Sequence, residues 1–338
     1  MLYIADTLNR RVVLVRPNST TAVATIVYRP ESDPYRWYSL SDVFVTETNV
    51  YVASAYSNTV WIWSKNTSSP NMINETPENI IDIDDPNHIF VDGNDNLYVS
   101  SSSTSTVIRF PSNASSTSDG VVVAGNRTDG SAFNQLKNPA GIFVDDNAAL
   151  YIADYRNHRI QKWISGSSFG VTVAGNGYCN SRNDTLKQLC FPIAVVVDSN
   201  DYIYTNDYFM RRIIRWRPFS DTGECIAACS GEIGVQAHQL LDIYAIAFDK
   251  QGSLYVSDTG NNRVQKFQLF VDTSQVTSTT EITTVTSSGN CIQRKKLILF
   301  LFIIESMNPS NFASQLIYFS TVQFGFTTMM TIYNTFNL

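Results

Sequence analysis

A short pattern recurs six times along the chain and leaves few folds open. The copies are LYIADTLNRRV (2–12), VYVASAYSNTV (50–60), LYVSSSSTSTV (97–107), LYIADYRNHRI (150–160), IYTNDYFMRRI (203–213) and LYVSDTGNNRV (254–264). Their tyrosines, Tyr3, Tyr51, Tyr98, Tyr151, Tyr204 and Tyr255, recur about every 50 residues, within the period of propeller blades. Four copies carry Asp at the end of the first apolar stretch (Asp6, Asp154, Asp207, Asp258) and Arg five residues on (Arg11, Arg159, Arg212, Arg263). The other two replace Asp with Ser54 or Ser101 and Arg with Thr59 or Thr106. Charge appears and disappears as a pair, as a carboxylate–guanidinium contact across a hairpin requires, because a lone partly buried charge is costly.

Around each copy the chain reads as four strands. A first strand ends in Asp in HIFVD (88–92), GIFVD (141–145), AVVVD (194–198) and AIAFD (245–249), and a tight turn leads to the tyrosine strand. The third strand lands on Trp63, Phe110, Trp163, Trp216 or Phe267, with Val15 in the first copy, which suits packing between neighbouring sheets. A fourth is clear in VVVAGN (121–126) and VTVAGN (171–176) and weaker in CIAACSG (225–231). Four antiparallel strands repeated six times predict an all-β, six-bladed β-propeller. Its first blade is expected to be incomplete, since the first copy begins inside the second strand. The expected blades span about 1–30, 31–75, 76–125, 126–176, 177–231 and 232–271. A Ser/Thr-rich linker follows at 272–290, then an apolar tail at 291–338. Within the tail the apolar run in RKKLILFLFII (294–304) is too short to span a bilayer as a helix, and a membrane tether through 312–333 is not expected.

The blades at 140–163 (AGIFVDDNAALYIADYRNHRIQKW) and 244–267 (YAIAFDKQGSLYVSDTGNNRVQKF) carry Asp-x-x-Asn-x-Arg-Ile/Val followed by an aromatic. This pattern, with the link at 121–145, resembles the NHL repeat over about residues 2–270. The resemblance implies a six-bladed propeller whose faces bind partners, and no single activity. Similar proteins include ubiquitin ligases of the tripartite-motif type, RNA-binding regulators and a peptide-amidating lyase. The second and third copies depart from the pattern at the Asp–Arg pair, so their hairpins are expected to be held more weakly.

The candidate sites each have a structural reading. The four Asp–Arg pairs are expected to be hairpin clamps, since an active site needs one constellation and not four equivalent ones. Reversing Asp154 and Arg159 together is then expected to rescue much of the damage of either reversal alone. Asp92, Asp145, Asp198 and Asp249 would suit Ca²⁺ if they faced the channel, but each is followed by a turn that can satisfy it. His88, His158 and His238 occupy three different blade positions and are not expected to converge on Zn²⁺. Zincin and phosphate-loop motifs do not occur. No catalytic residue and no cofactor is therefore expected.

The net charge of −6 gives no general pull toward nucleic acid, and Arg10, Arg11, Arg211, Arg212, Arg215 and Arg217 alternate with strand positions. Six glycosylation sequons, at Asn18, Asn66, Asn74, Asn113, Asn126 and Asn183, lie outside the strand motif and point to a secreted chain. Cys179 and Cys190 bracket one loop and can close it. Cys225 and Cys229 lie about 13 Å apart if their segment is extended, too far to bond unless it turns, and the pairing of both with Cys291 stays open. The expected function is a non-catalytic, extracellular scaffold that presents loops 126–139, 177–192 and 231–242 to a protein or glycan. The alternatives are an amidating-lyase or Ca²⁺-dependent hydrolase type of propeller enzyme, or an intracellular regulator binding RNA or ubiquitination targets.

Overall fold

A computed structural model describes residues 2–6, 11–15, 22–26, 39–65, 77, 79–115, 117–180, 185–249, 252–268 and 284–286. Its strands form a propeller of antiparallel sheets. Five sheets have four strands, so the expected six blades, the first incomplete, are corrected to five. The remaining N-terminal sheet pairs Leu2–Asp6, Arg11–Val15 and Ala22–Ile26. Among the described residues no strand joins the free side of Leu2–Asp6, which holds the second-strand position of the repeat.

The four-stranded blades are called A to E here. Their inner strands are Leu40–Val45, Pro86–Val91, Pro139–Val144, Val195–Val197 and Ile243–Phe248. The tyrosine strands follow at Asn49–Ser54, Leu97–Ser101, Leu150–Asp154, Ile203–Asp207 and Ser253–Asp258. Third strands are Thr59–Ser64, Thr106–Phe110, Arg159–Trp163, Arg212–Trp216 and Arg263–Gln268. Outer strands are Asn79–Asp82, Val121–Ala124, Val171–Ala174, Gly223–Ala227 and Thr284–Thr286. Two outer strands correct the expected boundaries. That of blade A lies beyond residue 75, and that of blade E lies inside the stretch read as a linker, where Val285 pairs with Val264. An outer strand has one neighbour and one buried face, so its sequence signal is weak, and Thr and Val suit it well.

Burial explains why the inner strands end in apolar runs such as Val43–Val45 and Ile89–Val91. Phe44, Phe90 and Phe143 stand at the same position in blades A to C and meet edge to face, with centroids 5.7 and 5.4 Å apart. Each such contact is worth about 0.5–1.5 kcal/mol beyond its area. Between blades D and E the edge-to-face contact is made instead by Tyr204 of the tyrosine strand and Phe248, at 4.6 Å. The third-strand aromatics Trp63, Phe110, Trp163, Trp216 and Phe267 are all buried.

The inner strands bulge toward one end, with register shifts at Leu40/Asp42, Pro86/His88, Pro139/Ile142 and Ile243/Ile246. Side chains of the tyrosine strand take up backbone groups there. Ser257 Oγ accepts from the N–H groups of Tyr244 and Ala245. Asn206 Oδ1 accepts from Ile193 and Ala194. The same end stitches blade to blade: Ser100 Oγ donates to Ala140 O, Gly141 N–H to Ile193 O, and Asn206 Nδ2 to Ile243 O.

Antiparallel alternation fixes what each face carries. The turns from inner to tyrosine strand, and from third to outer strand, lie on one face. Hairpins between tyrosine and third strands, and the links to the next blade, lie on the other.

Candidate binding face

Each hairpin ends on a directly opposed pair: Asp154 with Arg159, Asp207 with Arg212, Asp258 with Arg263, Ser54 with Thr59 and Ser101 with Thr106. Asp6 and Arg11 hold the same register in the N-terminal sheet, but the Asp6 side chain lies outside the described residues. Asp154 Oδ2 meets Arg159 Nε at 2.8 Å, Asp207 Oδ2 meets Arg212 Nη2 at 3.0 Å, and Asp258 Oδ2 meets Arg263 Nε at 2.5 Å. All six residues are buried.

The pairs do more than close hairpins. Arg159 donates onward to the carbonyls of Ser131 at 2.8 Å and of Ala132 and Gln135 at 3.2 Å, all in the link from blade B to blade C. Asp154 Oδ1 accepts the Lys137 N–H of the same link at 2.8 Å. Asn157 spans the two, donating from Nδ2 to both Asp154 oxygens and to Gly130 O. Blade E repeats the arrangement with different residues. Arg263 donates to Val235, Gln236 and Gln239, Asp258 accepts from Leu241 N–H, and Asn261 reaches Gly234 O. In blade D the Asn position is Met210, and the Cys190 N–H caps Asp207 Oδ1 at 2.9 Å. Each clamp therefore fixes an interblade link as firmly as its own hairpin.

Burial pulls the Asp154 and Asp258 carboxyls above the ordinary range, against the opposing pull of Arg, Asn and backbone N–H donors. Asp207 is pushed up to about 6 by the same burial. Donors around each carboxylate, and carbonyls around the Arg159 and Arg263 guanidiniums, satisfy charges that burial would otherwise make costly.

A sequence signal for the third member exists and lies outside the recurring motif. Gln135-Leu136, Gln188-Leu189 and Gln239-Leu240 precede Asp154, Asp207 and Asp258 at one constant spacing, eighteen residues from Leu to Asp. Leu136, Leu189 and Leu240 are fully buried and anchor their links, one residue before the N–H that caps the carboxylate. Asn157 and Asn261 stand inside the motif, yet pairing Asp with Arg alone gives them no role.

Glycine permits the entry into the links of blades C and D. Gly125 and Gly175 hold φ of +79° and +76°, and a Cβ on either would strike the carbonyl oxygen of Ser105 or His158. Cys179 and Cys190 are joined in the blade D link. Cys225 and Cys229 are joined as well, a pairing the sequence left open and allowed only if the segment turns. The outer strand ends at Ala227 and Ala228 takes φ of 53°, so the segment turns and the Cα atoms come within 5.7 Å.

On the opposite face each recurring carboxylate is taken up by its own turn. Asp92 accepts from Asn94 N–H, Asn96 N–H and Tyr98 O–H, and Asp198 from Asn200 N–H, Tyr202 N–H and Tyr204 O–H. Asp145 caps its own turn, and Asp249 accepts from Ser253 N–H and Tyr255 O–H and meets Lys266 at 2.9 Å. The recurring tyrosine is thus a partner of the recurring Asp in three blades. Among the described residues no three His, Cys, Asp or Glu side chains gather closely enough to hold a metal ion. His158 Nδ1 accepts the Phe191 N–H, and His238 is exposed in its link. His88 is buried beside Asp42, Nδ1 to Oδ2 at 3.4 Å, at the seam of blades A and B. Sequence reasoning assigned Asp42 no role. Burial lowers His88 to about 3 and raises Asp42 well above the ordinary carboxylate value.

The interblade links and hairpins carry large apolar side chains in water. Phe133 is 62% exposed, Tyr178 71% and Val235 69%, all on interblade links, and Tyr56 and Phe209 on hairpins and Ile233 on a link join them. Asn113 and Asn126 are exposed; Asn18, Asn66, Asn74 and Asn183 lie outside the described residues, as do Cys291 and the stretch 291–338. Among the described residues no helix is long and apolar enough to cross a membrane.

The sequence profile of the NHL repeat matches residues 136–163 and 245–267, which are blades C and E with their Asp-x-x-Asn-x-Arg clamps. The chain is an NHL-repeat β-propeller. No curated protein matches this NHL-repeat chain. Among solved structures, a chain of a nidogen/laminin complex is similar at 16% identity and a TM-score of 0.54, over 79% of this chain and 89% of that one. A protein of unknown function from Bacteroides caccae is similar at 9% identity and 0.51, over 78% and 88%. Virginiamycin B lyase from Staphylococcus aureus is similar at 13% identity and 0.43, over 73% and 70%. At these identities the likeness is one of fold.

Proposed function

We propose that this NHL-repeat propeller is a non-catalytic scaffold that docks a protein partner on its clamp face, outside the cell. The observation that carries the reading is apolar side chains exposed on links whose backbones are held by buried ion clusters. Phe133, Tyr178 and Val235 cost solvation in the free chain. Ordering the links in advance removes an entropy cost that binding would otherwise meet. Loops 126–139, 177–192 and 231–242 are the segments that set partner choice, the ring beneath them being common to all blades. Aromatic tips on a rigid backbone suit a protein surface better than a glycan of small polar contacts. Two disulfides and exposed sequons at Asn113 and Asn126 support an oxidising, extracellular setting.

The test is capture from conditioned medium by the full chain and by a variant with Phe133→Ser, Tyr178→Ser and Val235→Ser. The variant is expected to melt within a few degrees of the parent and to lose its partner. Undiminished capture by a folded variant overturns the reading.

A further inference from the structure

Links B–C, C–D and D–E hold 125–138, 175–194 and 228–242, whereas the link from blade A to blade B is only 83–85. The long links fill a fixed place beside the blade that follows. In blade C the Gly170 N–H donates to Phe133 O at 2.8 Å, and in blade D the Gly223 N–H donates to Leu186 O at 2.7 Å. Gly120 holds this position in blade B. It opens the outer strand against Phe110 as Gly170 does against Trp163 and Gly223 against Trp216. Among the described residues no link lies beside Gly120. There is a cavity of about 390 Å³ between the outer parts of blades A and B, floored by Ile108 and Phe110.

The walls of this cavity differ in polarity from the sister sites. Blade C offers its link a guanidinium, Arg159, which binds carbonyl oxygens. Blade B has Thr106 there, and the cavity is lined by Asp82, Asp84 and Asp119 against one cation, Arg127. Thr104 stands where blade C has Asn157. The place that receives main-chain carbonyls elsewhere here keeps the Gly120 N–H and gains three carboxylates. An occupant must accept one hydrogen bond from the wall and bring cationic donors to the rest.

We propose that this cavity receives an extended peptide segment of a protein partner carrying Lys or Arg, which takes in trans the place that a link fills in cis beside blades C and D. The proposal rests on the scaffold reading but uses a different surface from its loops. The volume is that of an ordinary ligand pocket, about 300–1,000 Å³. The segment's carbonyl meets Gly120 N–H, and its cation sits among Asp82, Asp84 and Asp119.

The probe is acetyl-Gly-Arg-Gly-Lys-Gly-amide, titrated into the full chain and followed by amide hydrogen exchange, with the peptide carrying Glu at both charged positions as control. The cationic peptide is expected to protect amides at 82–84 and 118–120, and the acidic one to protect none. Asp82→Asn, Asp84→Asn and Asp119→Asn together should weaken binding about tenfold. A second variant inserts the sequence of residues 126–135 before Ile83, with Ser101→Asp, Thr104→Asn and Thr106→Arg, and should abolish binding by filling the cavity from within. Equal loss on neutralising Asp146, Asp201 and Glu232 instead, or protection at other segments, overturns the proposal. So does protection of the same amides by self-association without peptide, which assigns the cavity to a second copy. Peptide binding that survives Phe133→Ser, Tyr178→Ser and Val235→Ser separates this site from the loop face, whichever of the two fails.

Discussion

Blades C, D and E and blades A and B solve one structural problem with different chemistry. At the hairpin end the first group buries an ion pair, and the second uses hydroxyls: Ser57 with Thr59 at 2.7 Å, and Thr104 with both Ser101 and Thr106 at 2.7 Å. Ser101 Oγ donates to Asp84 O in the short link at 2.6 Å, where Asp154 accepts from Lys137 in the long one. Link length tracks the choice wherever the link is described. A three-residue link needs one hydrogen bond to lie down, while one of fourteen residues has carbonyls turned inward that need several donors, and a guanidinium supplies them in one side chain. The Asp–Arg pair is the signature of a long link to be held.

This comparison is most severely tested at the guanidinium. Arg159→Ala or Arg263→Ala should cost about 3–5 kcal/mol in urea denaturation, because each leaves a buried carboxylate and several carbonyls unpaired. Amide exchange should show the preceding link losing protection. A cost no larger than that of Thr106→Ala in blade B would erase the distinction. Exchanging the charges, Asp154→Arg with Arg159→Asp, was expected from the pairing alone to restore stability. The geometry reverses that expectation. Carbonyls of Ser131, Ala132 and Gln135 would face a carboxylate, and the Lys137 N–H a guanidinium, so the double variant should be no more stable than the worse single one.

Blade D replaces the Asn of its clamp with a covalent tie, so Cys179→Ser with Cys190→Ser should cost about 2–4 kcal/mol. Deprotection of the 185–192 amides, including the Cys190 N–H on Asp207, is the accompanying readout. No change there would show that the tie serves the loop tip alone.

Blades A and B bury His88 beside Asp42 at their seam, and pH sharpens this contrast. His88 stays neutral in the fold down to about 3, so below its unfolded value near 6.5 the unfolded chain holds the extra proton and stability falls as pH falls. Asp42 acts in the opposite sense. Its folded value lies above the unfolded one near 4, so the folded chain holds the extra proton and stability is lost as pH rises through that folded value. In the intact pair the two offset. Asp42→Asn should expose a loss of about 1.4 kcal/mol per pH unit on acidification below 6.5, and His88→Gln a slope of the other sign. Parallel slopes in the two variants would mean that the pair is ionised. The smallest effect is expected at the hydroxyls: Ser101→Ala should cost about 0.5–1.5 kcal/mol by thermal melting.

Much of this architecture is legible in residue order. The repeat of Tyr, Asp and Arg at constant offsets places three strands of every blade and the register of each hairpin. What escaped it has physical causes. Outer strands at Asn79–Asp82 and Thr284–Thr286 satisfy one neighbour and leave little pattern. The Cys225–Cys229 bond depends on a single left-handed residue, Ala228, which no side-chain preference announces. Asp42 and His88 are distant in sequence and meet because neighbouring inner strands lie side by side.

Local chemistry in the sequence determined the blade: alternation, turn formers and a charge that comes only with its opposite. Only the tertiary structure decided what the charges hold. Interactions within a hairpin span five residues and repeat, so they leave a period that can be read along the chain. The ties from Arg159 to Ser131 and from Gly170 to Phe133 run from a blade to the link before it, many residues earlier and mostly through backbone atoms. Backbone carbonyls are the same at every position, and so the contacts that shape the binding face leave only an indirect mark in the sequence, the Gln-Leu step at constant spacing before each Asp.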